Sequence, residues 1–355
     1  MKSDNPKIFE CIKEDISSFL KGDFYLLGES LAQFERQFAK ASQVPFCVGV
    51  SSGTVAIQLL LRAAQIPRGS EVLVTSFCPI PTIMAILQEG LVPRFVDIDE
   101  STLMPMVLDF QKGITDRVKA LIVVHIFGKV SPMKEILQFA RDNSLQVIED
   151  ACQAGGSVGV DHIPGLDSVG AAMSFYPTKI LGSFGDAGGI LTGDQELVES
   201  LKQLRNYGLD ESFQNQSIGG NYRMDDLQAM VLLEKLKYLK DYLKKGAQTA
   251  AYYRSHLPIT QFQSREPGEV ANEHVISFRM RNLDSREQVR ELYQNLSLRA
   301  SFHYEFPVYH HKGLRGYQQS PLPVVEQVCK QIINLPQETE KIDPQFLERI
   351  FHCGV

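Results

Sequence analysis

Residues 44–61 read Val44-Pro45-Phe46-Cys47-Val48-Gly49-Val50-Ser51-Ser52-Gly53-Thr54-Val55-Ala56-Ile57-Gln58-Leu59-Leu60-Leu61, an apolar run, a small polar turn and a helical pattern. The spacing predicts a strand over 44–50 and a helix over 54–64. The unit recurs downstream: 71–75, 93–96, 120–125 and 145–148 read as strands, with helices over 80–89 and 133–142. Strands alternating with helices give a parallel sheet joined by crossovers. Because these strands are apolar on both faces, the sheet is expected to be covered by helices on both sides. The fold class is therefore α/β.

Further along, 195–206 reads as a charged helix, followed by a polar loop through Gly220. Residues 225–243 read as one long helix, with Leu227, Met230, Val231, Leu233, Leu236, Leu239 and Leu243 on one stripe. Beyond it, a strand over 274–280 and helices over 285–296, 324–333 and 344–351 predict a smaller C-terminal α/β domain. The expected division is 1–240 and 241–355.

Composition excludes several classes. Among 355 residues, 36 lysines and arginines face 42 acids, a net charge of −6, and no basic run tracks a phosphate backbone. Nucleic acid is not an expected partner. The apolar runs 57–61 and 121–124 fall far short of the roughly 20 residues that cross a bilayer, so no membrane span is expected. Residues 1–14 lack the apolar core of a secretory signal, which points to the cytoplasm. The six cysteines, Cys11, Cys47, Cys78, Cys152, Cys329 and Cys353, form no Cys-x-x-Cys pair and no zinc spacing. They are expected to be reduced and mostly buried, with no metal bound.

Three features sit where ligands of open α/β sheets bind, at strand ends. Ser51-Ser52-Gly53-Thr54 is either a simple serine cap or a phosphate cradle at a helix N-terminus. Glu149-Asp150 ends the run 145–148, and its carboxylate either faces the strand-end crevice or caps a following helix. Lys179, in Ser174-Phe175-Tyr176-Pro177-Thr178-Lys179, lies among aromatic residues and glycines with few charges nearby, unlike an ordinary surface lysine. Such surroundings suit a desolvated, partly uncharged amine. A dehydrogenase is excluded because Ser-Ser-Gly-Thr replaces the Gly-x-Gly-x-x-Gly that would follow the first strand.

In order and spacing these features resemble the DegT-like sugar aminotransferases that use pyridoxal phosphate (PLP). The resemblance extends through Phe34-Glu35-Arg36-Gln37-Phe38-Ala39, Asp97-Ile98-Asp99, His125-Ile126-Phe127-Gly128, Gly219-Gly220-Asn221-Tyr222-Arg223-Met224 and Leu335-Pro336. It implies a fold-type I PLP large domain with a mostly parallel seven-stranded sheet flanked by helices. It also implies that Lys179 is the Schiff-base lysine and proton carrier, and that Asp150 partners the ring nitrogen. Gln153, one helical turn on, is implied near the ring, and Gly53, Thr54 and Ser174 at the phosphate. Asn221 is implied to reach the neighbouring subunit's cofactor, hence a homodimer with shared sites. Tyr176, Arg223, His303 and Tyr304 are implied substrate contacts, while Tyr309, His310 and His311 belong to the same C-terminal segment. The implied reaction takes an amine from an amino acid, L-glutamate foremost, and places it on a nucleotide-linked keto-deoxysugar. Two alternatives stay open: a keto-cyclitol acceptor with glutamine as donor, and a cofactor-binding regulatory protein without turnover.

Two positions depart from the family pattern. Pro79 stands where an aromatic ring usually stacks on the cofactor, a loss of about 0.5–1.5 kcal/mol, with Phe77 as a candidate replacement ring. Gly155 stands where many relatives have histidine.

Overall fold

The computed structural model describes residues 6–21, 25–296, 302–317, 320–337, 342 and 346–350. Helices α1 (Pro6–Phe19) and α2 (Glu29–Ala41) precede β1 (Phe46–Val50), α3 (Gly53–Ala63), β2 (Glu71–Thr75), α4 (Ile80–Gln88), β3 (Val92–Val96) and α5 (Val107–Gly113). Then come β4 (Val118–Val124), α6 (Met133–Asp142), β5 (Gln146–Asp150), β6 (Gly170–Ser174), β7 (Gly188–Thr192) and α7 (Gln195–Leu204). The remainder comprises α8 (Asp226–Leu236), α9 (Leu239–His256), β8 (Ile276–Arg279), α10 (Leu283–Asn295), α11 (Pro323–Gln331) and β9 (Ile332–Leu335).

The main sheet has seven strands in the order β1-β7-β6-β5-β4-β2-β3. The pairs β2/β3, β2/β4, β4/β5 and β5/β6 are parallel, and β7 alone runs antiparallel to both of its neighbours. Reversal of β7 makes β6 and β7 the two arms of one antiparallel pair, and Lys179 lies in the 175–187 connection between them. Val50 pairs with Gly188 and Ser174 pairs with the same glycine, so β1, β6 and β7 meet at one edge of the sheet. Gly188 admits no side chain, because a Cβ would lie 2.3 Å from the Ser52 carbonyl carbon. The α3 N-terminal turn is thereby pressed onto the sheet.

Buried polar contacts explain several of the quoted motifs. Glu35 Oε1 accepts from Gly49 N at 2.7 Å and from Arg205, whose guanidinium also holds Gly49 O at 2.8 Å, so the α2 motif secures β1. Asp97 accepts from Val324 N (3.1 Å) and Val325 N (2.9 Å), capping α11 from the end of β3. Asp226 accepts from Gly28 N (2.8 Å) and Leu31 N (3.1 Å), capping α2 from α8.

The two sheet strands that carry glycine and alanine, β6 and β7, lie outside the strands read from the sequence. Small residues weaken strand propensity, and here close packing requires them. The expected helix over 225–243 is two helices, α8 and α9, with a turn at Lys237-Tyr238. No glycine or proline marks the break. Packing imposes it: α8 lies on α1 and α2, whereas Ala250 and Tyr253 of α9, with Leu257 just beyond it, join the separate cluster around Ile276, Phe278 and Ile333. The helix expected over 324–333 stops at Gln331, because Ile332 and Ile333 pair with Arg279 and Phe278 in the two-stranded β8/β9 sheet. Of the helix expected over 344–351, residues 346–350 are helical and the other positions lie outside the described residues. The C-terminal chain also enters the main core, through Val308, Tyr309, Leu314, Val325, Val328 and Ile332.

Cys11, Cys47, Cys78, Cys152 and Cys329 are free thiols, with Cys47, Cys78 and Cys329 buried. Cys353 lies outside the described residues. Among the described residues, no helix is long and apolar enough to cross a membrane.

Candidate active site

The ends of β1, β5 and β6 build one crevice. At the end of β1, Ser51 N donates to Tyr222 O (2.8 Å), and Ser52 Oγ accepts from Val55 N (3.2 Å), so the serine cap is real. It leaves the amides of Gly53 and Thr54, at the start of α3, without helical acceptors. A Cβ on Gly53 would lie 2.6 Å from Cys152 Sγ and 3.0 Å from Ser174 Cβ, which places the turn directly against the ends of β5 and β6.

Asp150 ends β5 and is buried. Its Oδ2 accepts from Thr82 Oγ1 at 2.6 Å and its Oδ1 from Cys152 N at 3.1 Å. The chain beyond it makes turns rather than a helix, so Asp150 caps nothing and Gln153 follows on a loop rather than one helical turn on. Gln153 Oε1 accepts from Phe127 N (2.7 Å), while its Nε2 donates to Tyr304 Oη (2.9 Å). Burial pushes the Tyr304 phenol well up, so it stays a neutral hydroxyl. Burial, reinforced by the Asp150 charge, does the same for the Cys152 thiol.

Lys179 faces the same crevice, its backbone N donating to Tyr176 O (2.8 Å). Desolvation holds its amine below the ordinary lysine value, opposed by the Cys152 and Asp150 charges. Among the described residues its ammonium has no hydrogen-bond partner. The loop carrying it is fixed from α8: Gln228 Oε1 accepts from Phe184 N (3.0 Å), and the buried Lys235 ammonium donates to Gly182 O and lies 4.9 Å from the Phe184 ring centroid. A small cavity is lined by Lys179 together with Cys152, Gln153, Ser174 and His274.

Pro79 is the half-buried N-cap of α4, with Pro81 in the first turn. Phe77, the candidate replacement ring, is fully buried, its ring nearly perpendicular to those of Phe127 (5.8 Å) and Tyr304 (5.4 Å). Tyr176 and Asn221 are exposed, and the backbone of Asn221 bridges to Asn206. Arg223 Nη1 donates to Asn206 Oδ1 (2.7 Å) with its guanidinium over the Tyr207 ring at 5.3 Å. His303 is exposed, held through its backbone N to Asn334 Oδ1 (2.7 Å). Sequence reading missed Thr82, Lys235, Asn272 and His274. Thr82 follows the Pro79-Ile80-Pro81 turn and was locally legible as a first-turn hydroxyl; the others are brought in from distant segments.

Comparisons with known proteins agree with this geometry. The model of the DegT/DnrJ/EryC1/StrS aminotransferase family matches residues 6–353. The chain is 35% identical over 327 residues to the dTDP-3-amino-3,6-dideoxy-alpha-D-galactopyranose transaminase of Aneurinibacillus thermoaerophilus, covering 92% of this chain and 89% of that protein. Its fold is similar to that of S. venezuelae DesV in complex with a ketimine intermediate, with a TM-score of 0.90, 33% identity and coverage of 97% and 94% of the two chains. It is also similar to NtdA from Bacillus subtilis with bound cofactor PMP, with a TM-score of 0.89, 27% identity and coverage of 98% and 82%. The chain belongs to the DegT/DnrJ/EryC1/StrS aminotransferase family.

Proposed function

We propose that this protein transfers an amino group from an amino acid, L-glutamate foremost, to a nucleotide-linked keto-deoxysugar, with PLP bound at Lys179. The observation that carries the reading is the convergence in one crevice of a desolvated lysine amine, a buried carboxylate with both oxygens held, and an open helix N-terminus. These residues fit the cofactor. The Gly53 and Thr54 amides suit a phosphate, with Gly53 allowing close approach and Ser174 beside it. Asp150 suits a protonated pyridine nitrogen, since Thr82 and the Cys152 amide fix its direction. When bound, PLP supplies a carbonyl that joins amines covalently and a cationic ring that draws electrons from the reacting carbon.

The chain's own groups supply the proton chemistry. Desolvation raises the uncharged fraction of Lys179, so Nζ takes the α-proton of the donor amino acid and later gives a proton to the amine-bearing carbon of the sugar. Asp150, held by Thr82 Oγ1 and the Cys152 amide, is the carboxylate that would pair with the ring nitrogen. Gln153, tied to Phe127 and Tyr304, orients the Tyr304 hydroxyl, which keeps its proton free to donate into the crevice. The 35%-identical relative, a dTDP-sugar transaminase, supports a dTDP-sugar substrate, and the PMP-bound and ketimine-bound neighbours support the cofactor.

A homodimer is part of the same reading. It is supported by exposed Tyr207, Phe213 and Ile218 on the loop before Asn221, with Phe213 79% and Ile218 87% accessible. Sedimentation of the purified protein is expected to give a dimer, and a monomer at micromolar concentration removes this element.

The deciding experiment is the visible spectrum of wild type and Lys179→Ala with PLP, followed by addition of glutamate. Wild type is expected to take up the cofactor covalently and to lose that absorbance with glutamate; Lys179→Ala does neither. Amine transfer is then compared on sugar-nucleotide and keto-cyclitol acceptors with glutamate and glutamine. Absence of covalent uptake in wild type overturns the reading.

A further inference from the structure

Residues 272–274 come from the C-terminal part of the chain and reach the cavity that Lys179 lines. Asn272 is fully buried, and its amide donates to Gln153 O (2.8 Å) and Gly155 O (3.0 Å) while its Oδ1 accepts from His274 N (2.8 Å). Its own backbone N donates to Ser157 Oγ at 3.0 Å. Gly128 makes room for this amide, since a Cβ there would lie 1.9 Å from Asn272 Oδ1. The turn carrying His274 is therefore fastened to the loop that follows Asp150. Glu273, between the two, has a left-handed φ of 51° and is held through its carboxylate by Arg254 (2.9 Å) and Arg265 (3.3 Å). A left-handed conformation in a non-glycine residue persists only where its surroundings over-determine it.

His274 and Lys179 line the same cavity of about 10 Å³, room for about one water. His274 Nδ1 is buried and has no hydrogen-bond partner. Burial first, then the charges of Lys179 and His303, push the imidazole down to about 3, so it is neutral wherever a lysine amine titrates. A neutral imidazole with its proton on Nε2 presents Nδ1 as an acceptor. The other titratable groups facing Lys179 are Asp150, Cys152 and His303, and none of them gives its ammonium a hydrogen bond.

We propose that His274 Nδ1 is the acceptor for the Lys179 amine, through one water seated in their shared cavity, and that His274 is a positioning residue for this lysine. The purpose of the contact rests on the reading of Lys179 given above, but the contact itself needs no cofactor. A neutral acceptor orients the amine and favours its protonated form without adding a second charge to the crevice. It thus opposes the desolvation that lowers the Lys179 amine.

The test reads Lys179 in protein freed of cofactor. Competitive labelling with acetic anhydride across pH, followed by mass spectrometry of the Lys179 peptide, gives the amine's titration midpoint. His274→Leu is expected to lower that midpoint by about one to two units, the effect of one lost hydrogen bond to a charged group. His274→Asn, which keeps an acceptor, is expected to recover part of the shift. An unchanged midpoint in folded His274→Leu overturns the proposal. Should His274→Leu not fold, the His274 imidazole ¹⁵N resonances are compared in wild type and Lys179→Met; a moved Nδ1 signal supports the contact and an unmoved one overturns it. Covalent uptake of PLP by wild type is scored separately, so failure of the cofactor reading and failure of this contact give different results.

Discussion

Thr82 Oγ1 donates to Asp150 Oδ2 at 2.6 Å, joining the first turn of α4 to the end of β5. Both residues are buried, and Thr82 N in turn donates to Pro79 O at 3.1 Å. The Pro79-Ile80-Pro81 turn thus places a hydroxyl on the Asp150 carboxylate.

Replacing Thr82 by valine removes that donor at nearly constant volume. An unpaired carboxylate oxygen costs about 1–3 kcal/mol, so PLP affinity is expected to fall on the order of tenfold. Thr82→Ser retains the donor and most of the affinity. Absorbance titration of cofactor-free protein with PLP measures both.

Gly53 and Cys152 are coupled by space. Gly53→Ala places a Cβ 2.6 Å from Cys152 Sγ, and is expected to cost about 1–3 kcal/mol of stability through overpacking. Cys152→Ala in the same chain removes the sulfur, so the double variant is expected to be more stable than Gly53→Ala alone, a non-additive result. Urea unfolding of the four proteins checks it.

Glu149, next to the site, is wholly buried between His125 Nε2 (2.7 Å) and His162 Nε2 (2.8 Å), with Gly165 N at 2.9 Å. Burial alone would raise its carboxyl, but the two imidazole hydrogen bonds win and hold it well below its ordinary 4.5. Its contribution to stability is present above about pH 4.5 and is lost as pH falls below that value. For His162 burial acts downward, yet the bond to Glu149 leaves it raised above 6.5. Its contribution is complete below that pH and lost as pH rises through the elevated value. The melting temperature is therefore expected to fall steeply on the acid side and mildly on the alkaline side. Glu149→Gln is expected to flatten the acid limb and to lower stability by about 3–5 kcal/mol, as when one partner of a buried pair is removed; an acid limb as steep as in wild type overturns the assignment.

Asp97 caps α11 across the chain. Asp97→Ala exposes the Val324 and Val325 amides and is expected to cost about 0.5–2 kcal/mol, while Asp97→Asn, which keeps an acceptor oxygen, costs less. Denaturant unfolding distinguishes them.

Much of the large sheet was legible locally. The runs at 71–75 and 133–142 coincide with β2 and α6 because strand and helix there satisfy both propensity and burial. Strands β6 and β7 were not, since Gly170, Ala171, Ala172, Gly188 and Gly189 carry little apolar signal and are chosen for what presses on them. The residues quoted for the site were visible as a lysine, a carboxylate and a glycine turn in order, yet nothing local says that they share one crevice.

The amino-acid order alone determined the alternation of strands and helices, because each element depends on neighbours within a few positions, and it offered the Ser52-Gly53 turn, Asp150 and Lys179 as candidates. Tertiary structure decided the rest. Reversal of β7 brought Lys179 to the ends of β1 and β5; Asn272 carried His274 to within reach of the same cavity; and Thr82 met Asp150 across the sheet. Those contacts join residues tens to hundreds of positions apart, whose approach is set by sheet order and by burial rather than by any local pattern.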